Sequence, residues 1–155
     1  MDAFEWVDSL SSDIDKVDNQ HKQLFSIMNA YFAAMSKAEA SVILMESVNK
    51  LLEYANTHFK EEEYWFEKYD YPGADKHKAM HSHYLSKIST YGVLLNDGIS
   101  LVDGKPITVE LWRFMKDWLS NHIKVDDIEY RDYFISIDVI DEIKAEKDNH
   151  PSKNQ

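Results

Sequence analysis

A chain of 155 residues and 18.2 kDa fits one domain, and its 44% hydrophobic and 13% aromatic content can build a buried core, which excludes wholesale disorder. With only 4 Gly and 3 Pro it lacks the frequent turns of an all-β fold. A net charge of -11 argues against binding a phosphate backbone, and the lack of cysteine excludes disulfide scaffolds, thiolate nucleophiles, iron–sulfur clusters and thiolate zinc sites.

The first residues, Met1-Asp2-Ala3-Phe4-Glu5-Trp6, are acidic and lack the basic and apolar regions of a secretory signal. No apolar run approaches the ~20 residues that span a bilayer, so a cytoplasmic location with no membrane partner is the expectation. Residues 1–16 read as an N-terminal arm that packs Phe4, Trp6, Val7 and Leu10 on the main body.

Four stretches follow in which apolar residues recur every three or four positions, the spacing of a helix that buries one stripe. The first carries Val17, Leu24, Phe25, Met28, Tyr31, Phe32 and Met35. A polar link, Ser36 to Ser41, leads to the second, with Ser41 as its expected N-cap. The second carries Leu44, Val48, Leu51, Leu52, Ala55, Trp65 and Phe66, and Asp70-Tyr71-Pro72-Gly73 stops it. The third carries Met80, Tyr84, Leu85, Ile88, Tyr91 and Leu95. Asn96-Asp97-Gly98 and Asp103-Gly104-Lys105-Pro106 bound a longer loop, after which Thr108 is the expected cap of the fourth, with Leu111, Met115, Trp118 and Leu119. From about Asp138 the sequence turns charged and reads as a tail.

Short links between long amphipathic helices favour antiparallel neighbours. The expected fold is therefore all-α: an up-down four-helix bundle with an N-terminal arm, residues 1–137, and a short helical or frayed C-terminal tail, residues 138–155. A monomer is favoured.

Polar residues interrupt every stripe. His21 lies between Val17 and Leu24, His58 and Glu62 lie between Ala55 and Trp65, His77 and His81 flank Met80, and His122 follows Trp118. Four residues turn a helix by about 400°, so His58 with Glu62, and His77 with His81, can each address one centre. His83 falls on the opposite side of its helix from His81 and reads as solvated, and His150 lies in the tail. An apolar bundle offers few hydrogen-bond partners to so many imidazoles and carboxylates, and a bound metal supplies that compensation. A further aspartate follows His122 at four residues (Asp126) or five (Asp127), and helical spacing alone selects Asp126.

Asp18-Asn19-Gln20-His21, His58-Phe59-Lys60-Glu61-Glu62, His77-Lys78-Ala79-Met80-His81 and the run from Trp118 to Asp127 together resemble the hemerythrins, in their single-domain bacteriohemerythrin form. The resemblance covers about residues 4–130. It implies two non-haem iron ions with an oxo or hydroxo bridge, held by His21, His58, Glu62, His77, His81, His122 and Asp127, with no ligand position substituted. It thus prefers Asp127 to Asp126. It also implies an O2 pocket that includes Trp118 and Leu119.

Two octahedral ions offer twelve positions. Five imidazoles, two bridging carboxylates and one shared oxygen fill all but one, which suits a single O2. The ferritin-like di-iron oxidases differ in using Glu-x-x-His pairs, and this sequence has none. The function expected is reversible O2 binding, as carrier or store, rather than catalysis. The alternatives are an O2 or redox sensor that signals to a partner, and a di-iron enzyme acting on peroxide or nitric oxide.

Overall fold

A computed structural model describes residues 4–35 and 40–146, with the side chains of residues 40–43 not described. Residues 36–39 of the expected link and His150 lie outside the described residues, while Ser41, the expected cap, falls inside the second helix, which already begins at Ala40. After a short 3-10 turn at Asp8–Leu10 come α1 (Asp15–Ala34), α2 (Ala40–Lys68) and α3 (Ala74–Asn96). A two-residue hairpin, β1 (Leu101–Val102) and β2 (Lys105–Pro106), precedes α4 (Ile107–Asn121). A π-helical turn, His122–Asp126, joins α4 to α5 (Asp127–Ser136), and α6 (Ile140–Ala145) follows.

The helices pack α1 on α2, α2 on α3, α3 on α4 and α4 on α1, which closes the square of an up-down bundle. The expected all-α fold is the observed one, and the hairpin is a small addition inside the loop at 96–107. Asp103 and Gly104 both have positive φ, 50° and 74°, which is the two-residue turn that matches the twist of paired strands. The hairpin also replaces the expected Thr108 cap. Pro106 occupies the N-cap position with no side-chain bond, and the Ile107 N–H donates instead to the Ser100 carbonyl (3.0 Å). An end satisfied by backbone needs no hydroxyl cap.

The arm packs as expected in part. Leu10 is buried, and Phe4 lies against Phe25 and Trp112 with ring centroids 5.3 and 5.4 Å apart. Asn29 accepts from the Phe4 N–H and donates to its carbonyl, which fixes the arm at that point. Val7, expected to pack, is 50% exposed, because it stands just before the 3-10 turn that directs Leu10 inward. Asp18 anchors the other end, accepting from the Ser12 N–H (2.7 Å) and from the hydroxyls of Ser11 and Ser12.

Two apolar clusters fill the bundle. The larger one includes Leu24, Met28, Leu51, Tyr54, Phe59, Tyr84, Ile88, Leu111 and Leu119. The smaller one, at the opposite end, joins Ile14, Val17, Trp65, Phe66, Tyr71, Tyr130, Phe134 and Ile143. Ile143 belongs to α6, so that short helix covers this end, aided by a bond from Trp65 Nε1 to Glu146 (3.0 Å). The polar residues of the stripes belong to neither cluster. Among the described residues no helix is long and apolar enough to cross a membrane.

Candidate metal centre

Five histidines, His21, His58, His77, His81 and His122, converge with Glu62 and Asp127, and none of these seven is more than 2% exposed. All five imidazoles present Nε2 to the two carboxylates. Glu62 Oε1 lies 3.5 Å from His58 Nε2, and its Oε2 lies 3.1 Å from His81 Nε2 and 3.7 Å from His77 Nε2. Asp127 Oδ2 lies 3.1 Å from His21 Nε2, and its Oδ1 lies 3.2 Å from His122 Nε2 and 3.5 Å from His77 Nε2. Each carboxylate therefore turns one oxygen to a three-histidine half (His77, His81, His122) and the other to a two-histidine half (His21, His58).

Local structure explains this convergence. His58 and Glu62 are one turn apart on α2, as are His77 and His81 on α3. Asp127 arrives by a different route. The Asp127 N–H donates to the His122 carbonyl five residues back, closing the π turn. That turn accommodates one more residue than an α turn, so Asp127 comes to the face of His122. Asp126, the choice of helical spacing, falls to the side. It is 3.9 Å from His122 Nδ1 and 3.6 Å from Lys76.

The bonds behind the imidazoles fix which nitrogen faces inward. His58 Nδ1 lies 2.8 Å from Gln20 Oε1, and the Gln20 amide donates to Glu61 (2.6 Å), which also pairs with Lys16. His81 Nδ1 lies 2.9 Å from Glu63 Oε1. An Nδ1–H given to these acceptors leaves the Nε2 lone pair for a cation. The three consecutive glutamates thus have separate places: Glu61 holds Gln20, Glu62 enters the centre, and Glu63 holds His81. Tyr130 donates to Glu62 Oε1 (2.8 Å). Sequence reasoning missed Gln20, Glu63 and Tyr130. Gln20, beside His21, and Glu63, beside Glu62, were visible only as neighbours of centre residues.

Of the other expected residues, Leu119 is buried in the larger cluster. Trp118 is half-buried and stacks on His122, centroids 4.1 Å apart at 24°. Its edge lines a surface pocket of about 430 Å³ shared with Lys76, Met80, His83 and Asp126. His83 is exposed, as its spacing implies.

The residues present fit a cation pair. His21 Nε2, His58 Nε2, His77 Nε2, His81 Nε2, His122 Nε2, Glu62 Oε2 and both Asp127 oxygens are buried without a hydrogen-bond partner. Each buried polar atom left unsatisfied costs about 1–3 kcal/mol unless cations occupy their midst. Two sets of ligand atoms fall within 4.8 Å of one another: Glu62, His77, His81 and His122, and His21, His58, Glu62 and Asp127.

Electrostatics ready the imidazoles of His21, His58 and His122 and the carboxylate of Glu62, but oppose ionisation of Asp127. Burial pushes the His21 imidazole down to about 4 and that of His58 down to about 3, against the opposing pull of Glu62. Burial likewise holds His122 well below its ordinary value. Burial alone would raise Glu62, but His58, His77 and His81 hold it well below the carboxylate range. Asp127 is raised by burial and by the Glu62 charge. Neutral imidazoles and an ionised carboxylate are the forms that bind metal.

A bundle with such a centre between two apolar cores defines a class of metal-binding helical proteins. A sequence profile of the Hemerythrin HHE cation binding domain matches residues 12–131, and the chain belongs to the hemerythrin family. It is 30% identical to the bacteriohemerythrin of Clostridium acetobutylicum over 132 residues, covering 83% of this chain and 99% of that protein. It is 28% identical to the bacteriohemerythrin of Stenotrophomonas maltophilia over 127 residues, 82% and 78% of the two chains. A crystal structure of wild-type hemerythrin superposes with a TM-score of 0.74 at 24% identity, covering 84% of this chain and 97% of that one.

Proposed function

We propose that the protein binds O2 reversibly, as a carrier or store, at a non-haem di-iron centre. Its ligands in this reading are His21, His58, Glu62, His77, His81, His122 and Asp127. The observation that carries it is the split presentation of Glu62 and Asp127, each with one oxygen toward either histidine group. A metal pair, rather than one ion, is what two such carboxylates serve. The choice of iron follows the family.

The donor count favours an open position on one side. The three-histidine half has five protein donors and the two-histidine half has four. Two six-coordinate ions that shared one oxygen would find the shortfall on the His21 and His58 side. Bound ferrous ions supply the electrons that reversible O2 binding requires. The chain's own residues do the rest. Gln20 and Glu63 orient imidazoles, Tyr130 orients Glu62, and the two apolar clusters exclude water. Leu119 and Trp118 close the ligand pocket on the α4 side. The bundle with its arm, residues 1–137, is the functional unit, with 138–155 an appendage whose α6 caps one end.

Anaerobic loading with ferrous iron tests this. The expected result is two irons per chain and a visible charge-transfer band that appears with O2 and disappears on its removal. Two irons that oxidise without a reversible band would overturn the carrier reading in favour of a sensor or an enzyme. Fewer than two metals would overturn the di-iron centre itself.

A further inference from the structure

The layer that covers the centre on the side of the larger cluster is not wholly apolar. One helical turn from each ligand in that direction stand Leu24 on α1, Tyr54 on α2, Tyr84 on α3 and Leu119 on α4, all members of that cluster. The hydroxyls of Tyr54 and Tyr84 are buried with no hydrogen-bond partner. A buried hydroxyl without a partner is costly and calls for one. Elsewhere in the same core Tyr31 shows the ordinary solution, donating to the Thr108 carbonyl (2.9 Å).

The two tyrosines differ in what surrounds them. Tyr54 is four residues before His58 and its ring stacks on that imidazole, centroids 5.2 Å apart at 24°. His58 belongs to the two-histidine half, where the donor count leaves a position open, and its ring lies 5.0 Å from that of His21. The Tyr54 hydroxyl also lies in the field of both Glu62 and Asp127. Tyr84 packs against Trp118, Phe59 and Phe114, and burial alone raises its hydroxyl, with no contribution from Glu62 or Asp127.

We propose that Tyr54 is a specificity-determining residue: its hydroxyl donates a hydrogen bond to the small ligand that occupies the open side of the His21 and His58 half. This rests on the di-iron reading above. The donor is neutral and held in a layer whose other members are Leu24, Leu119 and Tyr84. It favours ligands that carry negative charge or can accept a bond at their outer atom, over neutral ligands that cannot.

Azide, an anion with an accepting outer nitrogen, is the probe. The oxidised, iron-loaded protein would be titrated with azide as wild type, Tyr54→Phe and Tyr84→Phe. Loss of a hydrogen bond to a charged ligand predicts azide bound about ten- to a hundredfold more weakly by Y54F. Y84F should stay within about threefold of wild type, as expected for a hydroxyl outside ligand reach. The azide antisymmetric stretch should shift between wild type and Y54F, a change that altered packing alone does not produce. In the metal-free protein, Y54F should melt at the wild-type temperature or above it, since the hydroxyl has no partner to lose.

Equal azide affinity and an unshifted stretch in Y54F, with two irons bound, would overturn this assignment and leave the di-iron reading intact. A lowered melting temperature of metal-free Y54F would show the hydroxyl bonded within the fold and overturn it as well. Failure of the wild-type protein to load two irons would overturn both readings.

Discussion

The amide of Asp127 donates to the carbonyl of His122 five residues earlier, and this one bond decides which of two adjacent aspartates enters the centre. It closes a π turn across His122–Asp126. On an ideal α-helix Asp127 would stand about 140° from His122. With the wider turn its carboxylate reaches His21, His77 and His122, while Asp126 pairs outward toward Lys76.

The two aspartates should therefore respond differently to removal of charge. Asp127→Asn takes an anionic oxygen from each half of the centre, and the expected iron content falls from two per chain to one or none. Asp126→Asn should retain two, with affinity within about tenfold of wild type. Iron per chain after desalting is the measurement. Equal losses in both variants would show that the π turn does not select the ligand.

Glu63 and Gln20 stand behind His81 and His58 and would act on the proposed centre only through those imidazoles. Partners of this kind are worth about 10–100-fold in metal affinity. Glu63→Ala leaves His81 Nδ1 without its acceptor and should weaken iron binding by about that factor. Glu63→Gln keeps an acceptor and should lose less. Gln20→Ala should resemble Glu63→Ala, because Glu61 then has no amide to orient toward His58. Competition against a chelator ranks all three, and an unchanged Glu63→Ala would discount the orienting role.

The elements and the ligand spacings were legible because both follow one period. Apolar residues at three and four, with His58–Glu62 and His77–His81 at four, report the same helical face. The π turn was not legible, since five-residue spacing contradicts that period and nothing in His122-Ile123-Lys124-Val125-Asp126 marks the change. Only the resemblance pointed to Asp127. The partners Gln20, Glu63 and Tyr130 were hidden for another reason: each reaches across to a different helix, and no single-helix pattern reports such a bond. Tyr54 was hidden because a tyrosine one turn from a histidine reads as ordinary core.

Ile143 ties α6 to the end of the bundle. It is 2% exposed among Trp65, Phe66, Tyr130 and Phe134. Ile143→Ala should cost about 2–5 kcal/mol of unfolding free energy. Iron capacity at saturation should be unchanged, since none of the centre's residues lies in α6. Urea unfolding of the metal-free protein supplies the first number and iron counting the second. A loss under 0.5 kcal/mol, by the scale of exposed substitutions of about that size, would mean that α6 does not hold this end in solution.

Acid should destabilise the metal-free fold through its histidines. Burial lowers His21 from 6.5 to about 4 and His58 from 6.5 to about 3. Below pH 6.5 the unfolded chain takes up protons at these positions while the folded chain does not, so stability falls with falling pH. The loss begins near pH 6.5 and continues to about pH 4 for His21 and about pH 3 for His58. The slope is half its maximum at pH 6.5, the unfolded value, and fades within about one unit above it. The upper bound is about 1.4 kcal/mol per histidine per pH unit within that window. Urea unfolding of the metal-free protein at pH 7.5, 6.5, 5.5 and 4.5, chosen as about one unit apart, should show a plateau and then a decline. His58→Gln, which cannot titrate, should flatten the decline. With iron bound the same imidazoles are held deprotonated by the metal, and the decline should shift to lower pH. A metal-free protein equally stable at pH 7.5 and 4.5 would contradict burial of neutral histidines at the centre.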